Sequence, residues 1–544
     1  MIVIETLYLI GGLLLLFILV SFVLKWYESR KLKKDVEQLW DKRTPLESSD
    51  SLYVSFHNYF VNIMEHEDTD ERNIVDDETW NDLDVSQLMK KINFSFTTIG
   101  DEILYAALRN SLAEGTIKED FIEKIKNDTK YRKEISYKLA KLGRAGNSDT
   151  SKFMYETIPN KTYQPLFLIL SLLPIIGVFL FFVNPLLSFS TILIGLGANA
   201  YFSMKHKNAT GLEYRDIFYA ISIIITAGKM DSKYNRSGLR RLSFLSPLFI
   251  NEDQVKELNI AVQLFTAFKL LFLIDYHLYH MIYKTINKHH ALYKEAWHHV
   301  ADIDLHYSIA MLRETLPYYS EPIKQVDTHL TTDELYHPLI NDAVDNALDF
   351  TEDILLTGSN AAGKSTFMKA IGLNIIMSNG LNTSTSKYFK YTPGKVISSM
   401  DISDSVIDGD SYFISEVKSL KRIIDEINEF EGLVYCIIDE IFKGTNTIER
   451  LAAGEALLRY LHEKDNVYLI VATHDLELTE LLSEEMAFYH FSESMLDDDV
   501  YFDYKIKDGV AKTSNAIELL RLHDFPDEIY TASRQKVDKQ LSVK

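Results

Sequence analysis

A glycine-rich segment that ends in a lysine and a serine carries the clearest chemistry in the sequence. Residues 358–366 read GSNAAGKST, which fits the pattern G-x-x-x-x-G-K-[ST], and the apolar run Ile354–Thr357 comes directly before them. In such a segment, successive backbone N–H groups wrap phosphates, and the helix that follows adds its positive N-terminal dipole. We expect Lys364 to reach the β and γ phosphates of a nucleotide and Ser365 to bind Mg²⁺.

Two acidic residues follow a second apolar run further along the chain. Leu433–Ile438 has the composition of a buried strand, and Asp439 and Glu440 come directly after it. An aspartate at the end of such a strand can hold the Mg²⁺ shell, and a neighbouring glutamate can orient and deprotonate an attacking water molecule. This pair predicts hydrolysis of the bound nucleotide.

A histidine follows a third apolar run, Tyr468–Ala472, in the segment Thr473-His474-Asp475. At the end of a buried strand, His474 would be well placed to sense the γ-phosphate. Taken alone, His474 could equally be a loop residue that makes local hydrogen bonds. Taken with the other two motifs, the functional interpretation is favoured.

Four segments together resemble the ATPase domain of the MutS family of DNA mismatch-repair proteins. They read TGSNAAGKSTFMKA, DGDSYFISEVKSLKRII, IIDEIFKGTNTIER and ATHDLELTELL, in family order and at family spacing. The resemblance implies a dimeric ATPase that hydrolyses ATP with Mg²⁺, in which Ser411 contacts the nucleotide bound to the other subunit. The residues it implies are Gly358, Asn360, Gly363, Lys364, Ser365 and Thr366 for the nucleotide, Ser365 and Asp439 for the metal, and Glu440, His474 and Ser411 for catalysis.

The resemblance continues on both sides of these motifs. The segment YHPL at 336–339 and Asn346 look like the family's entry into the ATPase domain, and Pro526 lies in a segment similar to its end. Residues 94–110 and 299–314 look like the start and end of the family's helical core and lever region. A mismatch-reading domain and a DNA-clamping tip are not identifiable, so the resemblance implies ATP chemistry but not mismatch recognition.

The elements that must position these residues change character near residue 335. Before it the chain reads mainly as helix, whereas from about His337 short apolar runs alternate with helical stretches, which is typical of an α/β domain. We therefore expect an α/β P-loop NTPase domain of the ABC/MutS type, preceded by a mostly α-helical core and lever region with three transmembrane helices. The expected domains are a membrane anchor (1–24), a cytoplasmic helical region (25–163), a membrane hairpin (164–204), a helical core and lever region (205–335) and the ATPase domain (336–544).

Two uncharged stretches predict the membrane segments. Leu7–Leu24 is followed by a basic flank, and a second stretch is broken by Asn184-Pro185 into spans of about 165–183 and 186–204. The positive-inside rule places the N-terminus outside and the ATPase domain in the cytoplasm, in a multi-pass protein of the inner, cytoplasmic membrane. A cleaved signal peptide and a buried soluble hairpin are the alternative interpretations.

The formal net charge of −21 over 544 residues argues against a wholesale electrostatic grip on nucleic acid, although a local basic surface stays open. The single cysteine, Cys436, excludes a disulfide framework. Three outputs of the ATPase are considered: a membrane-tethered DNA-processing ATPase, a membrane switch or scaffold without DNA activity, and an ABC-type transporter. The transporter is disfavoured because DGDSYFISE stands where an LSGGQ-like sequence would be. The expected partners are a second copy of the chain and the membrane, with DNA as a candidate.

Overall fold

The computed structural model describes most of the chain as two compact units. The residues described are 27, 29–43, 53–69, 73–146, 148–157, 163–235, 267–326, 330–359, 362–400, 412–496, 499–511, 520 and 525–541. The first unit, which we call the helical unit, draws on Met1–Glu67, Asn93–Tyr105 and Lys118–Glu314. The second, which we call the sheet unit, draws on Asp68–Ile92, Ala106–Ile117 and Thr315–Lys544. The predicted membrane anchor at residues 1–24 lies outside the described residues.

Helices dominate the chain up to residue 315 and alternate with strands after it. In chain order they are α1 (29–42), α2 (Tyr53–His66), α3 (Asp77–Asp82), α4 (Val85–Ile92), α5 (Thr98–Leu108), α6 (Glu119–Asn127), α7 (Thr129–Leu142), α8 (Pro165–Leu180), α9 (Pro185–Met230), α10 (Ile274–Lys288), α11 (His290–Thr315), α12 (Lys364–Leu381), α13 (Tyr412–Glu429), α14 (Thr447–His462), α15 (Leu476–Leu481) and α16 (Asp527–Leu541). The expected order of a helical region followed by an α/β domain is confirmed.

The centre of the helical unit joins two segments that are about 200 residues apart in sequence. The carboxylate of Asp304 on α11 accepts hydrogen bonds from the backbone N–H groups of Phe96 and Thr97, at 3.0 and 2.9 Å. A side chain at Gly100 would bring its Cβ within 2.1 Å of Asp304 Oδ2, so this close approach requires glycine. The segments 94–110 and 299–314, singled out by the sequence resemblance, therefore meet at this carboxylate.

The long apolar stretch of the sequence forms α8 and α9, which are joined by residues 181–184. The side chain of Asn184 accepts hydrogen bonds from the N–H groups of Leu186 and Leu187 at 3.0 and 3.3 Å and so caps α9. Pro185 occupies the first turn of α9, where its missing N–H has no intrahelical partner to lose. The Asn-Pro pair predicted to break the stretch is thus the start of the second helix.

Within the described part of the chain, one helical segment, Pro185–Lys205, is long and apolar enough to cross a membrane by length and composition. Helix α8 has 16 residues, which span about 24 Å, less than the roughly 30 Å of a bilayer's hydrocarbon core. The expectation of three membrane helices is therefore reduced to one candidate span. Helix α8 falls short because the chain turns at 181–183, and the N-terminal stretch lies outside the described residues.

A six-stranded, mainly parallel sheet forms the centre of the sheet unit. Its strand order is β12-β9-β4-β8-β7-β6, in which only the edge strand β12 is antiparallel to its neighbour. A four-stranded sheet of order β1-β5-β2-β3 and the hairpin β10-β11 complete the unit. The strands are β1 (Ile323–Lys324), β2 (Leu330–Leu335), β3 (Asn346–Phe350), β4 (Ile354–Thr357), β5 (Tyr388–Tyr391), β6 (Lys395–Ser399), β7 (Val434–Asp439), β8 (Val467–Ala472), β9 (Ala487–His490), β10 (Glu493–Leu496), β11 (Asp499–Phe502) and β12 (Lys507–Asp508).

The middle strands are buried on both faces because helices cover the sheet. All four residues of β4 are buried, as are the first five of β7. Cys436 lies in β7 with no exposed surface, and burial raises the pKa of its thiol to about 12, so it is a packing residue. Five of the six residues of β8 are buried as well. This continuous burial explains why β4, β7 and β8 read as uninterrupted apolar runs in the sequence.

Candidate active site

The three motifs with chemistry follow three neighbouring strands of the six-stranded sheet. The phosphate-loop sequence follows β4, the acidic pair stands at the end of β7, and the histidine segment follows β8, which lies between them. These strands are parallel, so their carboxyl ends meet at one edge of the sheet. Ligands of open α/β sheets bind at this edge.

Two glycines shape the turn from β4 into α12. Gly358 has φ +120°, and a Cβ there would lie 2.2 Å from the carbonyl oxygen of Phe491. Gly363 has φ +108° and caps the N-terminus of α12. Both backbone conformations favour glycine, and the N-terminus of α12, which begins directly after Gly363, is suited to bind an anion.

Lys364 is the first residue of α12, and its side chain is buried. Its ammonium group donates a hydrogen bond to the carbonyl oxygen of Gly358 and so lies folded back over the turn. Burial lowers the pKa of Lys364 to about 8, against the opposing influence of Asp439 and Glu440. A cation held in this position is suited to bind phosphate oxygens.

Ser365 and Asp439 form the predicted metal pair. The Ser365 hydroxyl donates a hydrogen bond to Asp439 Oδ2, whereas Asp439 Oδ1 is buried and has no hydrogen-bond partner among the described residues. Burial also raises the pKa of Asp439. An oxygen donor set with one unpartnered, buried carboxylate oxygen fits a hard cation such as Mg²⁺.

Glu440 and His474 are brought together although 34 positions separate them in the sequence. His474 Nε2 lies 3.0 Å from Glu440 Oε1, and Lys443 pairs with the other carboxylate oxygen. Glu440 has φ +62°, a left-handed conformation that costs energy for a residue with a side chain, and its N–H donates to Ala472 O at 2.9 Å. The carboxylate and the imidazole are therefore neighbours at the strand edge where the phosphate loop begins.

A basic pocket of about 840 Å³ borders the first turns of α12. Ser365 and Thr366 line it together with Lys90, Lys91 and Lys369, and Asp84, which pairs with Lys369 at 2.8 Å, lines it too. Three lysines against one aspartate give this pocket a local positive balance, in a chain whose formal net charge is −21. It favours an anionic ligand beside the phosphate loop.

The remaining sequence-predicted residues are placed as follows. Asn346 lies on β3, where its amide donates to Tyr504 O at 3.1 Å and accepts from Ile506 N at 2.8 Å, so it fixes backbone near the site. Asn360 and Ser411 lie outside the described residues.

Two acidic side chains that the sequence analysis did not single out also contact the site. The Ser359 hydroxyl donates to Glu493 Oε2 at 3.0 Å. Glu416 on α13 accepts hydrogen bonds from the backbone N–H groups of Lys443 and Gly444. Glu416 stands in line with Leu420, Ile423 and Ile427, the buried apolar face of α13, and an acid in such a stripe was the available signal.

Comparison with known families agrees with this geometry. Residues 354–541 match the model of MutS domain V. MutS domain V is an ATPase domain, so the chain carries a MutS-type ATPase domain. The match begins at β4 and includes all three strand ends that form the site.

Curated relatives extend the similarity upstream. The chain is 30% identical over 253 residues to the DNA mismatch repair protein MutS of Petrotoga mobilis, covering 45% of this chain and 30% of that protein. It is 26% identical over 353 residues to MutS of Pseudothermotoga lettingae, covering 62% of this chain and 42% of the relative. The chain is thus a distant homologue of MutS over roughly half of its length, and it spans less than half the length of these relatives.

Proposed function

We propose that the chain hydrolyses ATP to ADP and phosphate at this strand edge and couples the cycle to DNA binding beside a membrane. The observation that carries the ATPase proposal is the meeting, at adjacent strand ends, of the phosphate loop, the Ser365–Asp439 pair and the Glu440–His474 pair. These groups bind the phosphates, hold a metal ion and activate water, which are the requirements of phosphoryl transfer.

Each side chain takes one role in the proposed reaction. Lys364 exchanges its contact with Gly358 O for the β and γ phosphates, where its charge opposes the charge that develops on the transferred group. Glu440 accepts the proton of the attacking water, and His474 fixes the orientation of that carboxylate. Ser365 and Asp439 would hold a Mg²⁺ ion, which would supply positive charge to neutralise the phosphates.

Completion of the site by a second copy of the chain is part of the proposal. It rests on the sequence resemblance of the segment around Ser411. Ser411→Ala should slow hydrolysis about 10- to 100-fold while leaving ATP affinity largely intact, because only the transition state would lose a contact. Unchanged turnover by this variant would refute the proposal that a second copy completes the site, and hydrolysis would then take place within one subunit.

The apolar helices α8 and α9 support a location in a membrane. Val183 in the connecting turn and Leu186 on α9 expose 80% and 77% of their surface, and many further apolar residues of both helices are exposed. Large exposed apolar surfaces of this kind are typical of contact with lipid or with a protein partner, and the length and composition of Pro185–Lys205 favour lipid. Full-length protein should float with liposomes and resist carbonate extraction; release of the protein by carbonate would refute membrane integration.

DNA coupling is tested by steady-state hydrolysis of the detergent-purified full chain. Rates would be measured with no DNA and with linear, mismatched and branched DNA at moderate salt, using Glu440→Gln as the blank. We expect DNA to change the rate of the wild-type protein but not of the blank, because the relatives that this chain resembles are named as DNA mismatch repair proteins.

The second candidate function is a membrane-bound ATP-driven switch or scaffold without DNA activity. The formal net charge of −21 favours it, because phosphate contacts need clustered cations. Hydrolysis that is indifferent to every DNA, together with no detectable DNA binding, would select the switch over the DNA-coupled enzyme. The absence of hydrolysis in wild-type protein, or equal rates in wild type and Glu440→Gln, would refute the ATPase proposal itself.

A further inference from the structure

The loop that follows β7 holds two non-glycine residues in the left-handed conformation. Glu440 has φ +62° and Phe442 has φ +53°, separated by a single residue. Such conformations are unfavourable for residues with a bulky side chain, and they persist only where the surroundings impose them. The neighbours of the loop that carries Glu440 must therefore impose its shape.

The first turns of α13 supply contacts that can impose it. The carboxylate of Glu416, only 1% exposed, accepts the N–H of Lys443 through Oε1 at 2.8 Å and the N–H of Gly444 through Oε2 at 3.2 Å. Both carboxylate oxygens are thus used on consecutive backbone donors of the same loop. A buried carboxylate in this arrangement fixes the loop's backbone direction, because the alternative leaves a charge and two donors without partners.

Close packing beside the carboxylate reinforces the contact. A Cβ at Gly444 would lie 2.9 Å from the Cβ of Phe413, so helix and loop touch with no room for a side chain. The ring of Phe413 also packs against the ring of Phe442, with centroids 6.4 Å apart. Glycine at 444, the ring pair and the carboxylate together join α13 and the loop Glu440–Gly444 as one packed assembly.

We propose that Glu416 is a positioning residue for hydrolysis, acting through the loop to hold the Glu440 carboxylate where it meets the attacking water. This rests on the proposed ATP hydrolysis and on Glu440 as its base. Glu416 touches neither nucleotide nor water in this role.

The test compares kcat, KM and ATP affinity of the detergent-purified full chain carrying Glu416→Ala or Glu416→Gln. Glu416→Ala should lower kcat about 100-fold, the effect of a displaced reacting group, with KM and the affinity for a fluorescent ATP analogue within about 2-fold of wild type. Glu416→Gln keeps the volume and one acceptor oxygen, so an intermediate loss of about 10-fold is expected. This graded rescue distinguishes positioning from collapse of the fold.

Glu426→Ala is the matched control on the same helix. Glu426 forms an ion pair with Lys395. Its loss should therefore lower the melting temperature but leave kcat unchanged. An unchanged kcat in both Glu416 variants would overturn the proposal. So would a parallel fall of kcat and melting temperature that Glu426→Ala reproduces.

A double variant separates this proposal from the proposed function. In the Glu440→Gln background, adding Glu416→Gln should not lower the residual rate further, because both changes act on one carboxylate. A further fall would show that Glu416 acts independently of Glu440 and would overturn its positioning role while leaving the ATPase intact. Equal rates in wild type and Glu440→Gln would refute the ATPase proposal, and the role of Glu416 would fall with it.

Discussion

Carboxylates with buried oxygen atoms occur in both units, but their hydrogen bonding differs. In the helical unit, Asp304 has no exposed surface and accepts from the N–H groups of Phe96 and Thr97 and from the Thr97 hydroxyl. In the sheet unit, Asp439 accepts from Ser365 through one oxygen, and its other oxygen has no hydrogen-bond partner among the described residues. The same side-chain type is saturated in one unit and unsaturated in the other.

This difference separates a carboxylate that holds the fold from one that can hold a ligand. Asp304 could bind a cation only by giving up hydrogen bonds that join distant parts of the helical unit, which would cost more than the new contact returns. Asp439 can add a ligand through Oδ1 without losing any bond. Unsatisfied, buried polar atoms beside a phosphate loop are therefore the signature of function here.

The largest expected effect tests whether Asp439 serves the reaction or the stability of the fold. Asp439→Asn should lower kcat for ATP at least about 100-fold, because it removes the charge expected to hold Mg²⁺. The melting temperature without nucleotide should stay close to that of wild type, since the amide keeps the shape and Oδ1 had no hydrogen bond to lose. Scanning calorimetry and steady-state kinetics on one preparation check both. A large fall in melting temperature with normal kcat would reverse the assignment.

Asp304→Asn should show the opposite pattern. The amide nitrogen would face N–H donors of Phe96 or Thr97, so the folded state should lose about 3 kcal/mol or more, as when one partner of a buried network is removed. The melting temperature should fall by several degrees, measured by the same calorimetry. Thr331→Ala, which removes an exposed hydrogen bond to Asp349, is the control and should change it little. A variant as stable as wild type would show that Asp304 is not the joint between the two segments.

Much of the site could be predicted from the sequence because each motif is local. The phosphate loop, the acidic pair and the histidine segment each come directly after an apolar run, and the carboxyl ends of parallel strands bring such segments to one edge of the sheet. The contact between His474 and Glu440 arises because β7 and β8 are adjacent strands. The strand order that makes β7 and β8 neighbours was not predicted from the sequence.

The contacts between distant segments could not be predicted in this way. Glu416 lies 27 positions before Lys443, and although an acid in the apolar stripe of α13 is unusual, nothing in the sequence identifies Lys443 and Gly444 as its partners. Asp304 and Thr97 are 207 positions apart, and the segments 68–92 and 106–117 belong to the sheet unit although helical sequence surrounds them. Such pairings depend on tertiary packing, which hydrophobic periodicity does not encode.

Lys364 extends the comparison from carboxylates to a buried cation. Its pKa is lowered to about 8 by burial, and a bound phosphate would raise it again. ATP affinity should therefore be constant below about pH 7 and should weaken, by up to roughly tenfold per pH unit, as the pH rises above 8 and the unliganded lysine loses its proton. Titration with a fluorescent ATP analogue from pH 6.5 to 9.5 measures this. Lys364→Arg, whose guanidinium stays charged, should bind with a flatter pH profile; an equally steep profile would place the titrating group elsewhere.

Glu102 differs from Asp304, because it is a carboxylate of the helical unit without hydrogen-bond partners among the described residues. It is fully buried in the helical unit, and neither of its carboxylate oxygens has a hydrogen-bond partner among the described residues. In the same described part of the chain, no cluster of His, Cys, Asp or Glu residues could hold a metal ion. Burial, and then the charges of Asp149, Asp101 and Asp216, raise its pKa well above 4.5, so the neutral acid is the favoured folded form.

Because the folded state binds this proton more tightly than the unfolded state, the stability that the neutral form of Glu102 contributes is complete below about pH 4.5 and is lost as the pH rises through the raised pKa. Glu102→Gln stays neutral at every pH. The variant should therefore melt close to wild type at pH 5 and a few degrees higher at pH 8, measured by differential scanning fluorimetry of the detergent-solubilised full chain. A variant that melts lower than wild type at pH 8 would contradict this prediction, because it would mean that the folded protein stabilises the ionised form of Glu102.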